Sequence, residues 1–456
     1  MRIRSEKSKK TILFIGDLIL ILLAVYLAVF LRSGTSVNIL VKYTGATTFS
    51  TSVYLLGFYI FDFYKLDLKF KSIFYSVTFA VGIVAATSTI SMVFYSFPSW
   101  KFGRGIFLIN MVFISLFTYS WRLVFLLIFS AIKPRVIVIL GAGDSGKTIY
   151  NVVNNSDDFM VKGFLDDNVE KQDTKIGKHS VLGKSTLLPG LAEQDEIDAA
   201  VIAITHEKSS EFIKAVMNAK VNGVEIYDMP SLYEELTGKL PVKHIEDIWV
   251  VSTPFQGMVK SAYTAHIKKI IDKGLSCALL ILSFPVIIIT AIAIKLDSKG
   301  PVFFRQKRMG LNGKVYDMVK FRSMVKNAEP DGAVWAHKND IRTTGVGRII
   351  RKMRIDEIPQ MWNVLVGEMS FIGPRPERPE FVESLTAEIP FYSLRHTVRP
   401  GVTGWAQINY SYGSSKEDAL EKLQYDLFYI KNLSPLLDLH IIFKTIKVVL
   451  LGIGAR

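Results

Sequence analysis

The sequence predicts a multi-domain membrane protein of the α/β class. Four N-terminal transmembrane helices would be followed by a Rossmann-like α/β domain and an α-rich, monotopic domain with a re-entrant membrane helix. Three observations predict this fold class. Half of the 456 residues are hydrophobic, and they crowd into residues 11–131 and 275–294. A glycine-rich turn follows a short apolar run at 135–140, and a pair of adjacent acids lies among cations near residue 356.

The first domain, residues 1–132, contains four apolar runs. Each is long enough to cross a hydrocarbon layer of ~30 Å. The runs lie near residues 11–31, 46–64, 72–97 and 105–131. Lysine and arginine are densest before the first run, between the second and third, and after the fourth, so both ends of the block are expected to face the cytoplasm. Arg122 is deep in the fourth run and is expected to extend its charge to the interface, whereas no functional role is expected for Asp17.

The second domain, residues 133–260, has the pattern of a Rossmann-like, CoA-binding-like α/β domain. The apolar strand at 135–140 runs into a G-x-G-x-x-G turn that opens a helix, which is the context of a dinucleotide fingerprint at Gly141, Gly143 and Gly146. A second strand ends in Asp166, about 20 residues on, where such folds bind a ribose. Only one of the two mononucleotide-binding halves of a dinucleotide-binding fold is present, and no redox residues accompany it. We therefore favour a scaffold or dimerisation module over a bound NAD or nucleotide.

A fifth apolar segment has cations on both flanks. It is predicted as a re-entrant helix over about residues 268–296, because Pro285 in its middle removes a backbone hydrogen bond and favours a kink. Lys268, Lys269 and Lys273 precede its apolar run at 275–294, and Lys295 and Lys299 follow that run, which favours both ends on the cytoplasmic side. The alternative is an ordinary kinked span, which would place residues 296–456 outside the cell.

The third domain, residues 261–456, contains the chemically suggestive residues. Asp356 and Glu357 stand just before Pro359, which suits the first turn of a helix, and a helix N-terminus favours anions and bound phosphate. Paired acids among cations suggest phosphate chemistry with a metal. The alternative is a surface capping pair beside a solvated basic helix.

Cations near the acid pair follow two patterns. Lys320 and Arg322 would project to one face of a strand over residues 315–324, where they could hold a diphosphate, although an exposed edge strand would look the same. Residues 345–354 alternate cations with apolar residues in the spacing of an amphipathic helix on an anionic membrane surface.

The formal net charge of +14 makes nucleic acid, anionic lipid and phosphorylated substrates candidate partners. No nucleic-acid motif is present, so phosphorylated substrates and anionic membrane lipid account for the charge. The seven histidines are scattered and there is one cysteine. No serine–histidine–acid order or cysteine cluster appears.

Residues 261–456 resemble the catalytic domain of bacterial polyprenyl-phosphate glycosylphosphotransferases, which are large monotopic phosphoglycosyl transferases similar to undecaprenyl-phosphate glucose or galactose phosphotransferases. The two N-terminal domains also resemble the multi-domain branch of that family. The matching segments are Gly300-Pro301-Val302-Phe303-Phe304-Arg305-Gln306, Lys320-Phe321-Arg322-Ser323-Met324, Asp356-Glu357-Ile358-Pro359-Gln360-Met361-Trp362-Asn363-Val364, Met369-Ser370-Phe371-Ile372-Gly373-Pro374-Arg375-Pro376 and Arg399-Pro400-Gly401-Val402-Thr403-Gly404-Trp405.

The resemblance implies a transfer in two steps. Asp356 would attack the sugar-bearing phosphate of a UDP-sugar and release UMP, and the phospho-sugar would then pass to undecaprenyl phosphate. Glu357 would hold Mg²⁺. The lipid-linked diphosphate sugar would initiate exopolysaccharide, capsule or O-antigen synthesis on the cytoplasmic face of the bacterial inner membrane, with downstream glycosyltransferases as partners.

The resemblance also assigns the surrounding residues. Arg375 would contact the nucleotide, Lys320, Arg322 and Arg354 would lie near phosphates, and Asp426 would have a supporting polar role at the substrate site. It also implies a homodimer. The donor sugar, the polysaccharide pathway and any ligand of the α/β domain stay open.

Two other functions compete with the transferase. A membrane-anchored, NAD-dependent nucleotide-sugar oxidoreductase would rest on Gly141, Gly143 and Gly146, but no Tyr-x-x-x-Lys pair accompanies them. A non-catalytic membrane organiser would recruit polysaccharide enzymes through the α/β domain.

Overall fold

The structure is a computed structural model that describes residues 6–34, 43–61, 63–64, 73–97, 102–129, 134–172, 174–204, 208–245, 247–259, 261–325, 342–410, 413 and 415–450. The chain divides into two compact units. The first comprises Met1–Arg135 and Asp157–Met160, and the second comprises Val136–Ser156 and Val161–Arg456.

Among its described residues, the first unit has four apolar helices, as predicted: α1 (Glu6–Ser33), α2 (Thr44–Ile60), α3 (Ile73–Ser96) and α4 (Arg104–Phe129). Three of them contain segments long and apolar enough to cross a membrane: Ser8–Arg32, Tyr75–Ser96 and Arg104–Phe129. Helix α2 has 17 residues, at the short end of the spanning range. The loop cations at 65–71, on which the orientation prediction partly depends, lie outside the described residues.

The expectation that Arg122 extends to the interface is wrong. Its Nη1 and Nη2 donate to Oδ1 and Oδ2 of Asp17 at 2.8 and 2.9 Å, and both side chains are fully buried. The guanidinium also lies 4.8 Å from the ring centroid of Phe58 and 5.3 Å from that of Phe79. A charge surrounded by apolar helices needs a partner, and Asp17 supplies it. The bidentate pair therefore joins α1 to α4.

The second unit begins with a six-stranded sheet. Its strands are β1 (Arg135–Leu140), β2 (Phe159–Leu165), β3 (Lys175–Ile176), β4 (His179–Gly183), β5 (Ala199–Ile202) and β6 (Glu225–Asp228). The order is β3-β4-β2-β1-β5-β6. The pairs β1–β5, β5–β6 and β2–β4 are parallel, and β3 is antiparallel to β4. The predicted α/β sheet is thus confirmed.

Five helices accompany the sheet: α5 (Asp144–Val153), α6 (Leu188–Glu193), α7 (Ser210–Val221), α8 (Met229–Thr237) and α9 (Asp247–Ser252). The part of the C-terminal region that the structure describes adds the strands β7 (Phe303–Met309), β8 (Val315–Phe321), β9 (Ser370–Ile372) and β10 (Gly401–Thr403). Its helices are α10 (Lys268–Asp297), α11 (Gly345–Lys352), α12 (Gln360–Val366), α13 (Pro379–Glu388), α14 (Trp405–Asn409), α15 (Lys416–Lys431) and α16 (Pro435–Leu450).

The sheet part and the C-terminal part pack together through α8 and α15. Lys431 on α15 pairs with Glu234 on α8, and the Trp405 indole N–H donates to the Gly238 carbonyl at 2.8 Å. Leu240 and Phe255 are buried in the same apolar core as residues of α13, α15 and α16. The boundary predicted at residue 260 stays a prediction.

Helix α10 runs through Pro285 as one element. Together with the π-helical turn Tyr263–Ile267 before it, it forms a helical segment, Tyr263–Asp297, that is long and apolar enough to cross a membrane. The Ser283 hydroxyl donates to the Leu279 carbonyl at 2.6 Å, one turn earlier. Asp272 lies near the start of α10, where it accepts hydrogen bonds from Ser370 Oγ at 2.7 Å and Phe371 N at 3.2 Å. The helix is therefore attached to β9. Re-entry depends on the membrane side of the two helix ends and stays a prediction.

Candidate active site

The two adjacent acids lie in a short 3₁₀ turn, Ile355–Glu357, between α11 and α12. The turn is entered through Arg354 in the left-handed conformation, with φ of 59°. Pro359 occupies the N-cap position of α12. Asp356 and Glu357 thus stand immediately before a helix N-terminus, as the position of Pro359 predicted.

Glu357 is held by two cations. Its Oε1 accepts hydrogen bonds from Lys320 Nζ at 3.1 Å and from Arg375 Nη2 at 2.9 Å. Burial acts to raise the pKa of Glu357, but the charges of Lys320, Arg375 and Arg354 outweigh burial and lower it well below its usual range. Glu357 is therefore a permanent carboxylate at physiological pH. The structure brings together four of the predicted residues here: Lys320, Arg354, Glu357 and Arg375.

The pKa of Asp356 is shifted in the opposite direction. Its side chain is buried, and burial together with the negative charge of Glu357 raises its pKa above the usual aspartate value. Lys320, Arg351 and Arg375 act against that rise. The two neighbours thus differ in their ease of ionisation, which suits different tasks for the two groups.

The acid pair fits Mg²⁺ when substrate completes the coordination. Mg²⁺ in phosphate-handling sites is commonly held by one or two carboxylates plus substrate phosphates. Asp356 and Glu357 supply that number of carboxylates beside cations suited to phosphate. Within the described residues, no group of three or more histidine, cysteine, aspartate or glutamate side chains could hold a metal ion on its own.

Arg322 does not contact the same neighbours as Lys320. Strand β8 ends at Phe321, so the alternation that predicted a shared face stops before Arg322. Arg322 is buried, and its Nη2 donates to the Ser298 carbonyl at 2.7 Å and the Ser298 hydroxyl at 2.9 Å. It therefore fastens the C-terminal end of α10 to β8. Its predicted role at a phosphate stays a prediction.

Asp426 is connected to the site through one intermediate side chain. It is buried on α15 and accepts a hydrogen bond from Arg395 Nη2 at 2.8 Å, and the same nitrogen donates to the Arg375 carbonyl at 2.9 Å. Burial raises the pKa of Asp426 to about 6, although Arg395 acts to lower it. This arrangement suits a supporting role, and direct substrate contact by Asp426 stays a prediction.

Sequence reasoning gave no role to Asn363, which aligns α12 with β8. Its Oδ1 accepts from Val319 N at 3.0 Å and its Nδ2 donates to the Asp317 carbonyl at 2.8 Å. The buried amide thus attaches α12, the helix that follows Glu357, to β8, the strand that contains Lys320. In the sequence, the feature that could have indicated this role is an asparagine among the apolar residues of a short helix, because a buried amide needs hydrogen-bond partners.

Apolar side chains are exposed on the helices that flank the acid pair. Ile349 lies on α11 and Met353 directly follows it, whereas Trp362 and Val366 lie on α12. Each of these side chains is more than half exposed. Helix α11 also exposes Arg348 and Lys352. Apolar side chains beside cations fit the predicted membrane-surface role of this region.

The glycine-rich turn has the geometry that its spacing predicts. Gly141 has φ of +112°, and a Cβ on Gly146 would lie 2.0 Å from the Gly141 carbonyl oxygen. Asp166 accepts from Ala142 N at 2.7 Å and from Asn168 N at 2.9 Å, so its carboxylate stabilises the turn itself. This structural role of Asp166 favours the interpretation of the α/β domain as a scaffold over its interpretation as a nucleotide-binding site. Ligand binding at Gly141, Gly143 and Gly146 stays a prediction.

Comparison with known proteins decides the family. Residues 263–452 match the bacterial sugar transferase family, and residues 136–211 match the PglD N-terminal domain. An uncharacterized sugar transferase of Bacillus subtilis is 38% identical over 190 residues, which cover 42% of this chain and 90% of that protein. The chain belongs to the bacterial sugar transferase family. The predicted resemblance is confirmed.

Two other family members are similar over larger parts of this chain. The UDP-N-acetylgalactosamine-undecaprenyl-phosphate N-acetylgalactosaminephosphotransferase of Aeromonas hydrophila is 43% identical over 233 residues, 51% of this chain and 54% of that protein. The undecaprenyl-phosphate glucose phosphotransferase of Komagataeibacter xylinus is 35% identical over 323 residues, 69% of this chain and 58% of that protein. The bacterial sugar transferase described here therefore spans little more than half the length of these two relatives.

Proposed function

We propose that this bacterial sugar transferase moves a sugar-1-phosphate from a UDP-sugar to undecaprenyl phosphate through a covalent intermediate on Asp356. The observation that carries the proposal is the acid pair, in which Lys320 and Arg375 hold Glu357 ionised beside a buried Asp356. The names of the relatives supply the substrate classes. Those names differ in the sugar, so the donor is proposed as a UDP-sugar without further assignment.

In the first step a carboxylate oxygen of Asp356 attacks the phosphorus that bears the sugar. An oxygen–phosphorus bond forms at Asp356 as the bond from that phosphorus to the bridging oxygen breaks. UMP leaves with the bridging oxygen and the electron pair of the broken bond. The reacting carboxylate needs no general base once it is ionised.

In the second step an oxygen of undecaprenyl phosphate attacks the same phosphorus. The new bond completes a lipid-linked diphosphate sugar, the bond to Asp356 breaks, and the aspartate carboxylate is restored. Both nucleophiles are oxyanions, so no proton is transferred in either step. This balance explains how a site can operate without a catalytic histidine.

The residues around Asp356 reduce the repulsion between an anionic nucleophile and an anionic diphosphate. Lys320 and Arg375 flank Glu357 at hydrogen-bond distance, so they can also reach phosphate oxygens beside it. Glu357 would hold Mg²⁺, which would supply further positive charge at the site. Arg354 adds a nearby cation, since its charge lowers the pKa of Glu357.

The membrane setting follows from the acceptor. Undecaprenyl phosphate is a membrane lipid and a UDP-sugar is a cytoplasmic metabolite, so the site must lie at the cytoplasmic surface. Exposed apolar side chains near the acids and the apolar helix α10 support that placement. A homodimer, contacts with anionic lipid and hand-over to downstream glycosyltransferases belong to the same proposal.

The test is UMP release by purified protein with Mg²⁺, undecaprenyl phosphate and a panel of UDP-sugars. Asp356→Asn should lose turnover, by on the order of 10³-fold or more, because the amide is a poor nucleophile. Asp317→Asn is the matched control, since Asp317 is an exposed acid on β8. Turnover by Asp356→Asn at the control rate would end the proposal.

A further inference from the structure

The segment from Pro374 to Glu377 is held at every backbone carbonyl. Each of the four oxygens accepts a hydrogen bond from a different residue: Pro374 O from Gly401 N at 2.8 Å, Arg375 O from Arg395 Nη2 at 2.9 Å, Pro376 O from Arg308 Nη1 at 3.0 Å and Glu377 O from Met309 N at 2.9 Å. The two prolines have no N–H to donate. The segment is therefore fixed mainly through its carbonyls.

Two of the four donors are arginine side chains that have their own fixed partners. Arg395 is 5% exposed and also donates to Asp426 Oδ2 at 2.8 Å and to Tyr392 Oη at 2.5 Å. Arg308 donates through Nε and Nη2 to Gln306 Oε1 at 3.1 and 2.6 Å. Gln306 and Arg308 are two residues apart on β7 and share one face of the strand. We call Arg308 and Arg395 the carbonyl clamp.

We propose that the carbonyl clamp positions the side chain of Arg375 for the transfer reaction. Arg375 contacts Glu357 directly, whereas the clamp arginines bind the backbone carbonyls of Pro376 and Arg375. A planar guanidinium with several donors can fix a carbonyl and its own partners together, which a flexible ammonium cannot do. The clamp arginines are thus positioning residues that act through Arg375. This inference rests on the proposed function.

The expected effect follows from how strictly geometry limits transfer rates. A displacement of about 1 Å at a catalytic group can cost about 100-fold in rate. Arg308→Lys keeps the charge but loses the fork that joins Gln306 to the Pro376 carbonyl. We expect it to lower kcat/KM for the UDP-sugar by about 10- to 100-fold. Arg308 is the better variant because it is 17% exposed, while Arg395 is 5% exposed and more prone to unfolding when changed.

A double-mutant cycle tests whether the clamp acts through Arg375. Arg308→Lys, Arg375→Ala and the double variant are compared by kcat/KM for UMP release. If the clamp acts through Arg375, adding Arg308→Lys to Arg375→Ala should cost less than about threefold. The matched control is Arg305→Lys, an exposed arginine on the same strand, which should change the rate by less than about twofold. A full Arg308→Lys effect in the Arg375→Ala background would overturn the proposal.

A structure of the Arg308→Lys protein separates this inference from the proposed function. We expect the Arg375 guanidinium to leave Glu357 Oε1 in that variant, whatever reaction the protein catalyses. An unchanged distance of 2.9 Å between Arg375 Nη2 and Glu357 Oε1 would overturn the proposal that Arg308 positions Arg375. Absence of any transfer by the wild type would end the proposed function, and the variant structure would still decide whether Arg308 holds Arg375.

Discussion

At the residue scale, the acid pair shows how burial and neighbouring charges shift the pKa values of two adjacent carboxyl groups in opposite directions. Lys320, Arg375 and Arg354 lower the pKa of Glu357 against its burial, and burial raises that of Asp356. The position of this pair before a helix could be predicted because Pro359 restricts the local backbone. The partners of Glu357 could not, because Arg375 is 18 residues away and Lys320 is 37 residues away in the chain.

The first prediction concerns pH. Asp356 must be ionised to attack phosphorus, and its raised pKa means that ionisation is lost at a higher pH than for an exposed aspartate. The single-turnover rate of UMP release should therefore fall through an acid limb with its midpoint above about 4, the ordinary aspartate value. Glu357 does not titrate in that range because its pKa is lowered. A midpoint at or below 4 would contradict the raised pKa of Asp356.

The second prediction concerns the metal. Glu357→Gln removes one carboxylate from the site that Mg²⁺ would share with substrate. Loss of even an outer-shell partner of a metal ligand commonly lowers metal affinity by about 10- to 100-fold. The Mg²⁺ concentration that gives half-maximal UMP release should rise by a similar factor. Removal of Mg²⁺ with EDTA should abolish turnover of the wild type. An unchanged Mg²⁺ requirement in Glu357→Gln would assign the metal to other groups.

At the element scale, helices and strands followed the sequence pattern where the pattern was local. Strand β1 and helix α11 lie where apolar spacing predicted them, and α1 to α4 follow the apolar runs. The Asp17–Arg122 pair was missed because its members are 105 residues apart and meet only when α1 packs on α4. Likewise, Arg308 and Arg395 reach the segment at 374–377 only through the tertiary fold.

The third prediction concerns that buried pair. Arg122→Ala leaves the Asp17 carboxylate buried without its cation, which should lower the free energy of unfolding by about 3–5 kcal/mol. Replacing both with leucine should recover much of the loss, because no charge then stays buried. Thermal unfolding in detergent measures both effects, with Arg104→Ala at the exposed start of α4 as control. Equal stability of Arg122→Ala and the wild type would show that the pair does not stabilise the bundle.

At the scale of the whole molecule, the transfer requires the C-terminal part to stay on one side of the membrane. Helix α10 alone connects the preceding residues to β7, so the side on which its two ends lie fixes the side of the acid pair. Its length and apolar composition were evident from the sequence. Its path through the membrane was not evident, because a kinked span and a re-entrant helix have the same sequence pattern around Pro285.

The fourth prediction concerns this topology. In a Cys277→Ser background, Lys269→Cys and Lys299→Cys place single thiols at the two ends of α10. A re-entrant helix predicts that a membrane-impermeant maleimide labels both only when it reaches the cytoplasmic side. Labelling of the two positions from opposite sides would establish a span and contradict re-entry.

The central claim is that Asp356 carries the phospho-sugar during transfer. The most direct test is the intact mass of purified protein mixed with Mg²⁺ and a panel of UDP-sugars, without lipid acceptor. The account predicts a gain equal to one phospho-sugar for the correct donor, absent in Asp356→Asn and lost on addition of undecaprenyl phosphate. UMP release that occurs only with undecaprenyl phosphate, with no mass gain for any donor, would contradict it and indicate direct transfer.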